Sequence, residues 1–228
     1  MQRRNFLKKI LLFALAFMSI KTKIVANSFF KPFNMENGIF LNNYVAHKSS
    51  FKDFWKWRRE SNKPEPIEFP LIKNNPEYLK SNKTEKTITW IGHSTFLIQI
   101  DGINILTDPH FTKRASPLSF MGPSRTTPPG LKIEDLPFID FVLISHNHYD
   151  HLDSKTIQLL LKKQTINQPT FFVPLKLNGI ISKLGASNVI EHEWWQMTKY
   201  KNLEIHSVPV QHWSKRTFND TNKTLWCG

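Results

Sequence analysis

Apolar and polar positions alternate along much of the chain after residue 86, and this pattern predicts a series of strands. Residues 95–100 alternate with a period of two, which is typical of a strand with one buried face. The dipeptide Asp101-Gly102 separates this run from residues 103–107, and such a dipeptide favours a two-residue hairpin turn. Together with residues 87–91, these segments are predicted to form three consecutive strands.

The next apolar segment, residues 141–144, is continuous rather than alternating, as expected of a strand buried on both faces. A helix follows, capped by Asp153 or Ser154 and continuing to Lys163. Ile157, Leu160 and Leu161 are predicted to form the inner face of this helix. Before the continuous strand, residues 109–137 form a looser segment that contains several prolines. After the helix, the sequence predicts a strand at residues 170–173, a helix that ends at Gly185 and a strand at residues 203–210.

The N-terminal residues have the three parts of an export signal. A basic start precedes an apolar run at residues 10–20, and small residues follow at the end. Because this run is too short to span a bilayer, we interpret residues 1–26 as a signal peptide and expect a periplasmic protein. Arg3-Arg4 also resembles a twin-arginine motif. A buried N-terminal helix is the alternative interpretation.

Residues 27–85 are rich in Asn, Lys and Pro and are predicted to form an irregular strap that leads into the domain. Within them, residues 51–59 combine aromatic and basic side chains. Such a cluster either packs across the core or contacts a membrane interface, and we favour packing.

The amino-acid composition limits the class of protein and the residues that could bind a metal. The hydrophobic fraction of 40%, with 18 Phe and 7 Trp, predicts a globular domain. The single cysteine excludes an intramolecular disulfide framework and a cysteine-based zinc finger, so a metal site must use histidines and carboxylates.

The net charge of the whole chain is +13. Without the six basic residues of 1–26 there remain 25 basic and 18 acidic residues, or a net charge of +7. Because these charges are spread along the chain, they suit anionic lipid or phosphate as well as DNA.

Candidate chemistry concentrates in Ser145-His146-Asn147-His148-Tyr149-Asp150-His151-Leu152-Asp153, where the continuous apolar strand ends. Active sites of α/β proteins form at the carboxyl ends of strands, and imidazoles with a carboxylate suit Zn²⁺. His146 and His148 can point the same way in an extended loop, whereas Asp150 and His151 can face a second ion. His212 also follows a strand and can complete a three-histidine site. A solvated loop without metal is the alternative.

The segment containing this motif resembles the metallo-β-lactamase superfamily, and more narrowly its N-acylphosphatidylethanolamine-hydrolysing phospholipase D branch. This resemblance covers about 140 residues, and it implies an α/β four-layer αββα fold for residues 86–228, comprising the N-terminal half and part of the second half. The matching stretches are residues 89–95, 106–109, 114–117, 121–123, 143–153, 211–213 and 224–226.

The resemblance also implies a ligand set for two zinc ions or other divalent metals. The first zinc is expected on His146, His148 and His212, and the second on the catalytic residues Asp150 and His151. Outside these ligands, Asp108 is expected to orient the metal-binding loop, with a simple turn residue at the end of the strand as the alternative. His93 is expected to line the site or to pack against the loop, and Cys227 to be a buried thiol. The family's bridging Asp, in a Gly-Asp-Thr segment, and its later His are not in this sequence. We therefore expect a fragment that is poorly soluble, inactive and able to hold at most one zinc.

For the intact protein the resemblance implies hydrolysis of a phospholipid phosphodiester, giving phosphatidic acid and an N-acylethanolamine. Peripheral membrane contact fits this substrate. The alternatives are a lactonase on the same scaffold that acts on a sugar phosphate, whose branch shares residues 92–95, and a non-catalytic remnant. A nuclease would need RNA-processing segments that the sequence does not contain, so nucleic acid is not an expected partner.

Overall fold

The computed structural model describes residues 33–44, 50–61 and 70–228, so the predicted signal peptide at residues 1–26 lies outside the described residues. The elements are β1 (Asn34–Glu36), β2 (Ile39–Leu41), α1 (Phe51–Glu60), α2 (Pro76–Ser81), β3 (Thr87–Gly92), β4 (Thr95–Ile100), β5 (Ile103–Thr107), a short 3-10 helix (Ile133–Asp135), β6 (Phe141–Leu143), α3 (Ser154–Lys163), β7 (Thr170–Pro174), α4 (Asn178–Lys183), β8 (Val189–His192), β9 (Met197–Tyr200) and β10 (Leu203–His206).

A six-stranded sheet in the order β3-β4-β5-β6-β7-β8 is the centre of the described structure. Strands β3, β4 and β5 are antiparallel neighbours, and β5 to β8 run parallel. The predicted hairpin is confirmed, because Ile100 pairs with Ile103 and both Asp101 and Gly102 have positive φ angles. These angles match the two-residue turn that Asp-Gly favours.

The two faces of this sheet bury different side chains. Val142 points to the helices and packs in one cluster with Ile157 of α3, whereas Phe141 points the other way and contacts Tyr200 of β9. Both Phe141 and Val142 are almost fully buried, so the predicted burial of β6 on both faces is confirmed. One face of the sheet therefore packs on helices and the other on the β9–β10 hairpin.

Helix α3 has the predicted bounds and cap. The Asp153 side chain accepts hydrogen bonds from the backbone N–H groups of Lys155 and Thr156 at the start of the helix. Its Oδ2 also accepts from Thr112 N and Thr112 Oγ1, at 3.1 and 2.7 Å. The cap thereby fixes the loop after β5 to the start of α3.

Two sequence interpretations need correction. The strand predicted at residues 203–210 ends at His206, because Pro209 has no N–H for a ladder and Val208 instead exchanges backbone hydrogen bonds with Gly228. The strap predicted at residues 27–85 is not irregular throughout: its described parts contain the β1–β2 hairpin, α1 and α2.

The preferred interpretation that residues 51–59 pack across the core is wrong for both tryptophans. They lie on α1, and Trp55 and Trp57 are 53% and 63% exposed. Positions two apart on a helix differ by about 200° in direction, so Trp55 and Trp57 cannot share one buried face. Arg58 lies over the Trp55 ring at 5.9 Å. No helix within the described ranges is long and apolar enough to cross a membrane.

Candidate metal centre

The histidine-rich loop begins where β6 ends, beside the end of β5. These two strands are parallel, with Thr107 opposite Leu143, so their carboxyl ends open on the same edge of the sheet. The Asp108 N–H donates to the Leu143 carbonyl at 2.8 Å, and Asp108 has a positive φ of 34°. A non-glycine residue in this conformation is uncommon and is held by its surroundings. The sheet edge therefore places Asp108 against the loop.

A first cluster brings together His146, His148 and His212, each offering a ring nitrogen, with these atoms within 4.8 Å of one another. His146 Nε2 lies 3.0 Å from His212 Nε2. His148 Nε2 is buried without a hydrogen-bond partner, which is an unusual state for a polar atom. Three converging nitrogens, one of them unpartnered, fit a divalent cation.

The protonation of this cluster also favours a cation. Burial, together with the neighbouring rings of His151, His212 and His148, lowers the pKa of His146 to about 2. Burial and His212 lower the pKa of His148 to about 4. Both rings are therefore neutral at physiological pH, and neutral imidazole is the form that binds a metal.

Ser145 orients the first histidine of the loop. Its hydroxyl donates to Asp108 Oδ2 at 2.7 Å, and its oxygen lies 2.8 Å from His146 Nδ1. Because the hydroxyl proton is used for Asp108, the oxygen accepts from the Nδ1–H of His146. The lone pair of His146 then lies on Nε2, the nitrogen that faces His212.

A second cluster consists of His93, Asp150 and His151. Asp150 Oδ2 lies 3.0 Å from His93 Nε2 and 3.6 Å from His151 Nε2. The sequence placed His93 only near the site, whereas the structure gives it one of three potential donor atoms. His93 lies at the β3–β4 turn with a positive φ of 51°, and its carbonyl accepts from Trp90 Nε1 at 2.9 Å. This turn directs the ring toward Asp150.

Asp108 holds the other side of His151. Its Oδ2 lies 2.9 Å from His151 Nδ1, and its Oδ1 accepts from Ser145 N at 2.7 Å. Burial lowers the pKa of His151, but the hydrogen bond and charge of Asp108, with the charge of Asp150, outweigh burial and raise it above its usual value. The contact with Asp108 leaves Nε2 of His151 facing Asp150.

Arg216 joins the His212 segment to the loop, and sequence reasoning missed it. Its Nη1 donates to the carbonyls of Asn147 and Leu152 at 3.0 and 2.8 Å. Its Nη2 donates to Ser154 Oγ at 2.7 Å, and the guanidinium lies 4.1 Å from the centre of the Tyr149 ring. The available sequence clue was its position four residues after His212.

His212 is also held from the N-terminal side of the chain. Asn42, just after β2, donates from Nδ2 to the His212 carbonyl at 2.8 Å and accepts from the His212 N–H at 3.1 Å. Asn42 is buried. A residue of the predicted strap therefore fixes the backbone of a candidate ligand that lies 170 positions away.

A cavity of about 540 Å³ opens beside the second cluster. His93, His148 and Asp150 form part of its wall, and His110 and Arg125 form another part. Burial lowers the pKa of both His110 and Arg125. Sequence reasoning missed both residues, although Arg125 lies two residues after the matching stretch at residues 121–123. The volume is within the usual range of ligand pockets.

Comparison with known proteins identifies the family. The model of the beta-lactamase superfamily domain matches residues 103–228, which is more than half of the chain. The chain belongs to this superfamily. The matched range contains His146, His148, Asp150, His151 and His212, whereas His93 precedes it.

Curated relatives of this superfamily member include two phospholipases. N-acyl-phosphatidylethanolamine-hydrolyzing phospholipase D 1 of Caenorhabditis elegans is 39% identical over 149 residues, covering 61% of this chain and 41% of that protein. The mitochondrial N-acyl-phosphatidylethanolamine-hydrolyzing phospholipase D of Saccharomyces cerevisiae is 37% identical over 143 residues, covering 61% of this chain and 30% of that protein. The chain thus spans less than half the length of these relatives. The resemblance stated from the sequence is confirmed.

A solved structure is also similar over part of the chain. Igni18, a metallo hydrolase from Ignicoccus hospitalis, aligns with a TM-score of 0.42 and 23% identity, covering 60% of this chain and 52% of that one. The fold class rests on the superfamily model: the mixed α/β architecture with its central sheet agrees with the metallo-β-lactamase fold, so the predicted fold class is confirmed.

Cys227, which was expected to be a buried thiol, is half-buried and lies outside both clusters. Burial raises the pKa of its thiol to about 11.

Proposed function

We propose that this superfamily member is a metal-dependent hydrolase that cleaves the phosphodiester of N-acylphosphatidylethanolamine-like phospholipids. One observation carries the proposal: two three-donor clusters lie side by side at the carboxyl edge of the sheet and border one cavity. The identity of 37–39% to two phospholipases supports the substrate class.

In this proposal each cluster holds one cation. His146, His148 and His212 hold the first, and the second has Asp150 and His151 together with His93, which the structure adds. Nitrogen donors with one carboxylate suit Zn²⁺. Cations held there would acidify water and offset the negative charge that develops on the phosphoryl oxygens.

The chain's own groups position this chemistry. Asp108 holds the Nδ1 side of His151 and, through Ser145, fixes the tautomer of His146. Arg216 and Asn42 hold the backbones of the loop and of His212. Rigid support matters because a misplaced ligand lowers both metal affinity and rate.

Export and membrane contact complete the proposal. An N-terminal signal at residues 1–26 would deliver the enzyme to the periplasm. The exposed Trp55 and Trp57 on α1, with neighbouring basic side chains, suit an interface with anionic lipid.

The test uses zinc-loaded protein from the whole gene and vesicles that contain N-acylphosphatidylethanolamine. We expect phosphatidic acid and an N-acylethanolamine as products, detected by mass spectrometry, and loss of both products after His148→Ala or chelation. His206→Ala, which removes an exposed histidine, serves as the matched control and should retain activity. Product formation that persists in His148→Ala would contradict the proposal, and turnover of a lactone without lipid cleavage would replace it with the lactonase.

A further inference from the structure

Arg125 lines the cavity with most of its hydrogen-bonding capacity unused. Its Nη2 donates to the His110 carbonyl at 3.0 Å. Its Nε and Nη1 are buried and have no hydrogen-bond partner. Within the described ranges no carboxylate lies within 4.0 Å of the guanidinium. The guanidinium therefore has no direct ion-pair contact with a described residue, and the negative charge of Asp153 acts on it only from beyond this distance.

Such a group lowers the stability of the fold. A guanidinium offers five N–H donors, and leaving charged donors buried and unpaired costs more than leaving neutral ones. The backbone nevertheless leaves space for the guanidinium at Gly92, which has a φ of 142°. A Cβ at this position would lie only 3.2 Å from Nη2 of Arg125. A destabilising arrangement that the surrounding backbone accommodates indicates a ligand.

The position of Arg125 indicates which ligand. It shares the cavity with His93 and Asp150 of the second cluster. Among the described lining residues Asp150 is the one carboxylate, and it belongs to that cluster. Ser124 and Thr126, which flank Arg125 in sequence, line the same cavity and carry hydroxyl groups. The cavity thus offers hydrogen-bond donors and a positive charge in addition to the candidate metal ligands.

We propose that Arg125 binds the phosphoryl anion of the ligand and so selects phosphate esters over neutral esters and lactones. The selection among substrates rests on the proposed function, whereas the binding of a phosphoryl anion by Arg125 does not depend on it. A planar guanidinium matches two oxygens of a phosphate, which a lysine ammonium cannot do. The anion is either a phosphodiester or a free phosphate, and the two probes below distinguish them.

Calorimetric titrations with inorganic phosphate and with diethyl phosphate provide the test. They are made on zinc-loaded and on chelator-treated protein, for the wild type, Arg125→Gln and Arg125→Lys. We expect Arg125→Gln to weaken binding roughly 10- to 100-fold in both metal states, with a smaller loss for Arg125→Lys. Lys113→Gln removes an exposed charge outside this cavity and should leave binding unchanged.

A structural role for Arg125 gives a different result. If the arginine stabilises the fold, Arg125→Gln lowers the melting temperature without ligand. If Arg125 instead binds the anion, Arg125→Gln leaves the melting temperature of the ligand-free protein equal or higher. The substitution then abolishes only the increase in melting temperature that added phosphate produces.

The outcomes separate the inference from the proposed function. Arg125-dependent binding of diethyl phosphate supports a diester site, and dependence for inorganic phosphate alone supports a site for free phosphate. Equal affinities in the wild type and Arg125→Gln overturn the inference even if the enzyme cleaves lipid. Arg125-dependent binding in a protein that cleaves no phosphodiester retains the inference and removes the proposed function.

Discussion

Asp108 Oδ2 lies 2.9 Å from His151 Nδ1, and the same carboxylate receives two hydrogen bonds from Ser145. Asp108→Asn should therefore weaken binding of the second cation by roughly 10- to 100-fold, the usual effect of removing a partner behind a metal-binding histidine. Competition with a chelator measures this affinity. Asp101→Asn, in an exposed turn, is the control. Equal affinities in both variants would mean that Asp108 only closes the turn.

Arg216→Ala should destabilise the loop, because three hydrogen bonds from the guanidinium to Asn147, Leu152 and Ser154 are lost. Hydrogen bonds from a charged group suggest a loss of about 2–4 kcal/mol in the free energy of unfolding. Urea denaturation of the metal-free protein measures it. Arg59→Ala removes an exposed arginine and should change little. A denaturation midpoint that Arg216→Ala does not move would argue against this coupling.

The stability of the metal-free protein should fall in mild acid. Burial holds the pKa of His146 at about 2, whereas the unfolded chain takes up this proton near pH 6.5. Below that pH the unfolded state binds more protons, so stability decreases as pH falls. From about pH 7.5 to about pH 5 the contribution is on the order of 2 kcal/mol.

His148, with a pKa of about 4, adds to this effect. His151 opposes it, because its raised pKa stabilises the fold below the unfolded value and this contribution is lost as pH rises. Urea denaturation at both pH values measures the sum. His146→Gln should reduce the difference, whereas His206→Gln should not. A stability that is equal at both pH values in the wild type would contradict the burial of a neutral His146.

Local patterns predicted much of this structure. The bounds of β4, β5 and α3 follow from alternation, an Asp-Gly turn and an Asp cap, each of which lies within a few residues of the element that it fixes. The histidine-rich loop was also located, because strand and motif are adjacent in sequence. The β10 prediction extended too far because apolar residues continue to Val210, past Pro209, which cannot donate a ladder hydrogen bond.

Relationships between distant residues could not be predicted in this way. Arg216 contacts Asn147 from 69 positions away, and Asn42 contacts His212 from 170. Burial of guanidinium nitrogens without hydrogen-bond partners, as for Nε and Nη1 of Arg125, depends on tertiary packing that no local pattern encodes. His93 was noticed but not counted as a donor, since only the folded β3–β4 turn brings its ring to Asp150.

His93 changes the expected number of metal ions. The expectation of at most one zinc counted Asp150 and His151 as the only donors in this chain for a second ion. With His93 the cluster has three donors, so we now predict two zinc ions per chain, of which His93→Ala removes the weaker. Elemental analysis after dialysis measures the number. An unchanged zinc content in His93→Ala would leave His93 as a residue that merely lines the cavity.

The central claim is that His146, His148 and His212 bind a divalent cation. Its most direct test is zinc affinity, measured by chelator competition, in His212→Ala and in the control His206→Ala. His212 lies outside the loop motif, so this substitution leaves that sequence intact while removing one of three nitrogens. The account predicts that His212→Ala lowers the affinity of the tighter site by orders of magnitude and that the control matches the wild type. Wild-type zinc content and affinity in His212→Ala would contradict it.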